Sequence, residues 1–194
     1  MTKHAATHAS AAAKQPTSWT LANITGSHNW KAVAQSADGT IIAAADNGGS
    51  IWLSKDLGVT WRASGSGSQP WCDVAMSADG SHIIAGFSGN GSPGSAGVSV
   101  STSTGASFSS PMLPYDAKAG MTGACSVAIS ANGSVMACGD ASYAELFLSS
   151  AGSFSAVSPP PFGSVLKVAL SGDGSLVFVS WTGGNAVEFL DGAN

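Results

Sequence analysis

The sequence predicts an all-β fold, a small β-propeller of four blades with four antiparallel strands in each. Three observations carry this expectation. Of 194 residues only 9% are charged, while 44% are hydrophobic and 25 are glycine, a balance that suits many short strands joined by tight turns. One phrase occurs four times, as Val33-Ala-Gln-Ser-Ala-Asp-Gly39, Val74-Ala-Met-Ser-Ala-Asp-Gly80, Val127-Ala-Ile-Ser-Ala-Asn-Gly133 and Val168-Ala-Leu-Ser-Gly-Asp-Gly174. The first and last steps, Val33 to Val74 and Val127 to Val168, are 41 residues long and the middle one 53. A period of about 40–45 with several short strands per unit marks a propeller rather than a helical solenoid. Each phrase also ends in a turn signal, Ala-Asp-Gly or a close variant, between two apolar stretches.

The first unit, about residues 30–64, parses directly. Trp30 to Ser36 is its first strand, and Ala37-Asp38-Gly39 a three-residue hairpin turn with glycine in the left-handed conformation. Ile41 to Ala45 is the second strand, Asp46 to Ser50 a turn, Ile51 to Ser54 the third strand and Trp61 to Ser64 the fourth. The second unit, about 71–110, keeps this beginning and swells its second turn to Ser88–Gly97. A long link, Pro111 to Gly123, then accounts for the larger step. The third unit covers about 124–158. The fourth, 165–194, stops after its third strand, Val187 to Leu190.

The missing fourth strand reads as residues 17–24, which contain Thr17-Ser18-Trp19. An N-terminal strand completing the last blade would close the ring and protect its strand edges; the alternatives are a fragment of a larger propeller, or a strand that completes a neighbour's blade in an oligomeric ring. Residues 17–194 are thus expected to be one domain. Residues 1–16, rich in alanine with two lysines and no acid, read as a flexible arm, ahead of a processed remnant or a transit-like segment. They lack the apolar stretch of a secretory signal.

Between the third and fourth strands of the first unit lies Ser54-Lys-Asp-Leu-Gly-Val-Thr-Trp61. Serine, aspartate and glycine at alternate positions, closed by Thr-Trp, resemble the Asp-box (BNR) repeat of sialidase-like propellers. Over residues 17–194 the chain is also similar to photosystem-assembly-factor-like propeller repeats. The resemblance implies that Ser54, Asp56, Gly58, Thr60 and Trp61 form a structural turn. The chemistry fits: a short carboxylate accepts hydrogen bonds from its own loop, Gly58 takes positive φ and Trp61 packs beneath. The box erodes to Ser101–Phe108 and Ser149–Phe154, with Asp191-Gly192 a last remnant. Phe108 and Phe154 keep an aromatic where Trp61 stands. Sialidases of this kind hold the substrate carboxylate with three arginines. This chain has one, Arg62, which argues against that activity.

Composition excludes other classes. A net charge of −4 with seven scattered Lys and Arg does not make a nucleic-acid surface, which needs clustered basic side chains. No apolar run approaches the ~20 residues that span a bilayer, so no membrane insertion is expected. Three cysteines make an odd count. Cys125 and Cys138 fall nearly opposite each other across the first hairpin of the third unit, so a disulfide there stays open. No Cys-x-x-Cys supports a zinc site, and no cofactor is implied. Gly89–Gly94 matches a dinucleotide glycine pattern but leads into a strand-like stretch instead of the required helix. His4 and His8 have metal-ligand spacing without a third ligand. Asn23, Asn90 and Asn132 open glycosylation sequons. Compartment stays open, with a lean to an extracytoplasmic space or organellar lumen.

Candidate binding residues fall in two groups. The resemblance implies that each first strand lines a central channel. The residue before the repeated Val-Ala is then Ala32, Asp73, Ser126 or Lys167, and Asp73 and Lys167 face the axis, as a polar site or as a structural ion pair. The loops after second and fourth strands share one face, opposite the Ala-Asp-Gly turns and the boxes. That face carries Asp46, Trp71, Tyr115, Asp116, Asp140, Tyr143, Phe162 and Trp181, and aromatics beside short acids suit recognition of a peptide or a sugar. Trp30 and Trp71 read as framework residues between blades. The expected function is a non-catalytic protein-interaction or assembly module using the loop face, with a protein partner. The alternative is a lectin-like module binding a glycan through Tyr143 and Trp181, and a glycoside hydrolase without sialidase activity ranks below both.

Overall fold

The structure is a computed structural model that describes residues 18, 20–89, 96–110, 126–140, 145–150, 153–157, 165–181 and 187–191. Among them are fourteen strands and no helix. Sheet one is β1 (Trp30–Gln35), β2 (Ile42–Asp46), β3 (Ile51–Ser54) and β4 (Arg62–Ala63), hydrogen-bonded in that order. Sheet two is β5 (Trp71–Met76), β6 (Ile83–Phe87) and β7 (Gly97–Ser101). Sheet three is β8 (Ser126–Ile129), β9 (Val135–Asp140), β10 (Glu145–Ser150) and β11 (Ser153–Val157), and sheet four is β12 (Val165–Leu170), β13 (Leu176–Trp181) and β14 (Val187–Asp191). Every pairing is antiparallel between neighbours in the chain.

The repeated phrase folds four times into one hydrogen-bonded turn. Ser36 Oγ donates to Asp38 Oδ1 (2.7 Å), which also accepts from Thr40 N (3.0 Å) and Thr40 Oγ1 (2.8 Å), while Ile41 N donates to Ser36 Oγ (3.0 Å). The same bonds recur through Ser77, Asp79, Ser81 and His82, through Ser130, Asn132, Ser134 and Val135, and through Ser171, Asp173, Ser175 and Leu176. The fourth turn residue must be glycine because φ is +74° at Gly39, +73° at Gly80, +75° at Gly133 and +79° at Gly174. Serine donors and the turn amide hold the Asp79 and Asp173 carboxyls down to about 2 and the Asp38 carboxyl below the ordinary range.

Packing between sheets follows from strand alternation. In the repeated Val-Ala, valine points to the preceding sheet and alanine to the following one. Val74 thus lies in a core with Ala43, Ile51 and Leu53 of sheet one, Val127 with Ile84 and Val98 of sheet two, and Val168 with Ala137 and Leu146 of sheet three. The second strands β2, β6 and β9 are buried on both faces, which is why β2 and β6 read as continuous apolar runs, Ile-Ala-Ala-Ala and Ile-Ile-Ala-Gly-Phe. A backbone chain ties the turns together across the sheets. Ala37 N donates to Ala78 O, Ala78 N to Ala131 O, and Ala131 N to Gly172 O, each at 2.8 Å.

Three expectations need correction. Residues 20–24 form no strand. Ala22 and Ile24 instead flank Trp30, Val33, Ala44 and Trp61 on sheet one, so the described residues do not supply a fourth strand to sheet four. The box expected at Ser149–Phe154 is absorbed into a hairpin. β10 runs through Ser149 and Ser150, which pair with Phe154 and Ser153 of β11, because two connecting residues suffice once no capping acid is present. Trp30, expected between blades like Trp71, is exposed, whereas Trp71 is fully buried, since among the described residues no sheet precedes sheet one.

Candidate interaction surfaces

The turn from Ser54 to Trp61 is built as its residues dictate. Ser54 Oγ donates to Asp56 Oδ1 (2.8 Å) and accepts from Gly58 N (2.8 Å). Asp56 accepts from Thr60 N (2.8 Å) and Thr60 Oγ1 (2.6 Å), and Trp61 Nε1 donates to Gly58 O (3.0 Å). The Thr60 hydroxyl, the Thr60 amide and the Ser54 hydroxyl lower the Asp56 pKa. The eroded loop of sheet two has the same shape. There Gly105 N donates to Ser101 Oγ (2.9 Å) and Ser107 N to Ser103 Oγ (3.1 Å), so the Ser103 hydroxyl stands where Asp56 does. Leu57 and Thr104 occupy equivalent positions at φ +62° and +51°, followed by Gly58 and Gly105 at +84° and +73°.

These two loops enclose a groove of about 490 Å³ lined by Lys55, Asp56, Thr60, Arg62, Gly65, Thr104, Gly105 and Ala106, among others. At the tip of the first loop Leu57 and Val59 are 66% and 69% exposed. Sequence reasoning treated this turn as purely structural and passed over Lys55, Leu57, Val59 and Arg62. Two aliphatic residues inside a polar turn motif were the signal for them.

The loop-face candidates have other surroundings. Asp46, at the end of β2, is buried and accepts from His28 Nδ1 (2.8 Å) and from Asn29 N (2.8 Å). Burial opposes its ionisation, but these two bonds outweigh that and hold its carboxyl below the ordinary range. The bond to Asp46 in turn raises the His28 pKa. His28 stacks on Trp30 (centroids 4.6 Å apart) and meets Trp52 edge-on (5.1 Å), and neither His28 nor Trp52 was singled out from the sequence. Asp46 therefore straps residues 20–29 to sheet one. The following loop is also tied to the link into sheet two. Gly48 N donates to Gln69 O (2.9 Å), Gln69 N to Gly49 O (3.2 Å) and Trp71 Nε1 to Gly49 O (3.0 Å).

Asp73 and Lys167 do meet, with Lys167 Nζ 3.6 Å from Asp73 Oδ2. Asp73 also accepts from Val74 N (3.0 Å) and, across the sheet interface, from Val127 N (3.1 Å). Ser126 Oγ repeats that latch one sheet on, accepting from Val168 N (3.0 Å). The carboxylate thus joins sheets two, three and four.

Trp181 was expected on a recognition surface and is instead core. It ends β13 opposite Val165, is 5% exposed, and packs with Val168, Val179 and Leu146. The signal lay in the repeat: thirteen residues after the phrase valines stand Asp46, Phe87, Asp140 and Trp181, and all end second strands. Phe87 packs edge-on against Trp71 at 5.6 Å, and Asp140 is wholly buried. Tyr115, Asp116, Tyr143, Phe162 and Cys125 lie outside the described residues. Cys138 is a buried thiol that burial pushes far up in pKa.

Comparison with known proteins defines the fold and leaves the family open. No family model matches the chain and no curated protein matches it. Among solved structures it is similar to the β-propeller domain of Myceliophteria thermophila Cps50 (Swd1), at TM-score 0.61 and 13% identity, over 84% of this chain and 54% of that one. It is similar to a chain of the nidogen/laminin complex at TM-score 0.64 and 14% identity, over 86% and 62%. The computationally designed Ika4 protein gives TM-score 0.59 and 13% identity, over 86% and 93%. The chain spans less than two thirds of the first two. It has a propeller fold.

Proposed function

We propose that the chain is a non-catalytic protein-interaction or assembly module. The observation that carries this reading is the exposed pair Leu57 and Val59, held out by a turn whose backbone Ser54 and Asp56 fix. Two aliphatic side chains held out close together on a rigid support offer a partner an apolar anchor whose burial favours binding. The adjoining groove contributes Lys55 and Arg62, which suits a partner presenting an apolar patch with an acidic rim. Asp38, Asp56, Asp79 and Asp173 close turns and bind their protons weakly, so they are poor general acids near neutral pH. Tyr115, Asp116 and Tyr143 remain proposed contacts on the loop face, whereas the glycan-binding alternative has lost Trp181 to the core.

The test is affinity capture from the native source with the unaltered protein and with Leu57→Ser/Val59→Ser. A partner held at fixed stoichiometry by the first and lost from the second supports the reading. Equal retention by both, or selective binding on a glycan array, overturns it.

A further inference from the structure

The contacts that join one sheet to the next repeat three times, and each series stops short at both ends of the chain. In the backbone series Ala37 N, Ala78 N and Ala131 N donate onward to Ala78 O, Ala131 O and Gly172 O. Among the described residues Gly172 N has no such acceptor and Ala37 O no such donor. In the second series the space that a Cβ would need at the turn glycine is filled by the preceding sheet. Ile41 Cδ1 fills it at Gly80 (2.6 Å), His82 Cγ at Gly133 (2.6 Å) and Val135 Cγ2 at Gly174 (2.8 Å), while nothing lies within 4 Å at Gly39. Leu176 is the sheet-four counterpart of Ile41, His82 and Val135, each being the residue that donates its amide to the turn serine.

Burial tells the same story. Val74, Val127 and Val168 are 5%, 6% and 8% exposed, but Val33 is 69% exposed. On the opposite face Ala43, Ile84 and Ala137 are wholly buried, whereas Phe178, which holds their place in β13 opposite Ala169, is 40% exposed. Trp30 (42% exposed) lines the same shallow apolar groove as Val33. β5 packs on β1 and β2, β8 on β5 and β6, and β12 on β8 and β9, and among the described residues no comparable contact joins sheet four to sheet one.

We propose that a second copy of this chain covers these faces, so that sheet four of each copy packs on sheet one of the other and two arcs close a single eight-bladed ring. Each group left open among the described residues has its complement at the far end of an identical chain: Gly172 N for Ala37 O, Leu176 for the space at Gly39, and the exposed Ala169 for Val33. The junction would repeat the interface already made three times within the chain. A head-to-tail contact of this kind closes with two-fold symmetry when the rotation per copy is half a turn. This inference does not depend on what Leu57 and Val59 bind.

Light scattering on the purified 194-residue chain tests it. The expected mass is twice the 19.1 kDa of one chain. Val33→Lys, at a position exposed in the single chain, should give folded monomers with unchanged far-ultraviolet circular dichroism. Adding Ala169→Asp to the same chain should restore the dimer by pairing the two new charges across the junction. A monomer at every concentration overturns the proposal, as does a dimer indifferent to Val33→Lys. Open polymers in place of dimers overturn ring closure by two copies.

Discussion

Two alanine substitutions at glycines of nearly equal backbone angle separate the energy of the turn from the energy of sheet packing. Gly39 and Gly174 sit at φ +74° and +79° in turns with identical hydrogen bonds. Alanine in the left-handed region costs about 1–2 kcal/mol at either site. At Gly39 nothing lies within 4 Å of the new Cβ, so that cost is the whole effect. At Gly174 the new Cβ would stand 2.8 Å from Val135 Cγ2, 3.0 Å from Val135 Cβ and 3.2 Å from Ser130 Cβ. Valine is stiff about χ1 and its Cβ moves only with β9, so sheets three and four must part slightly, which adds about 1–3 kcal/mol. Gly174→Ala should therefore lose about 2–5 kcal/mol against about 1–2 kcal/mol for Gly39→Ala. Urea unfolding followed by circular dichroism measures both. The samples should be dilute enough that single chains dominate. Equal losses, or the larger loss at Gly39, would refute the reading of Gly174 as an interface residue.

Other outcomes follow from the same geometry. The Asp79 and Asp173 carboxyls are depressed to about 2 in the folded chain, against about 3.9 when unfolded. Their contribution is complete above the unfolded value and drains as pH falls from roughly 4 to 2. Acid titration should show stability falling within that window, and a flat profile there would contradict the turn assignment. The His28 pKa is raised, so its bond to Asp46 is at full strength below about 6.5 and lost as pH climbs through the raised value. Exchange of the Asn29 amide, corrected for its intrinsic pH dependence, should quicken over that climb, and a constant protection factor would count against the strap. Asp56→Ser should lower the melting temperature less than Asp56→Ala, because Ser103 already serves in the twin loop. Trp71→Phe removes the indole donor to Gly49 O, which keeps its bond from Gln69 N, and the lost hydrogen bond should cost about 0.5–1.5 kcal/mol in chemical denaturation.

Sheet one was legible almost residue by residue, since its four strands and the turns at Asp38 and Asp56 are set by local chemistry. The phrase Val-Ala-x-Ser-Ala-Asp-Gly encodes its own hydrogen bonds, and Asn132 replaces aspartate without changing them. What failed was long-range. Trp181 looked like a surface aromatic because its place thirteen residues after Val168 was not compared with Phe87. Asp46 looked like a binding acid because its partner, His28, lies eighteen residues earlier in a stretch with no repeat signal. Ring closure was inferred from matching termini, yet whether residues 17–24 reach sheet four depends on curvature, which strand patterns do not carry.

The relay from Ala37 through Ala78 and Ala131 to Gly172 also bears on how the molecule comes apart. Each sheet leans chiefly on its neighbours, so a single arc has two frayed rims and a sheltered middle, and stability declines outward from sheets two and three. Slowly exchanging amides should concentrate in β6 and β9, while those of β1 and β13 open through partial unfolding that leaves the interior standing. Joining the rims would abolish that gradient and turn four separable steps into one cooperative transition.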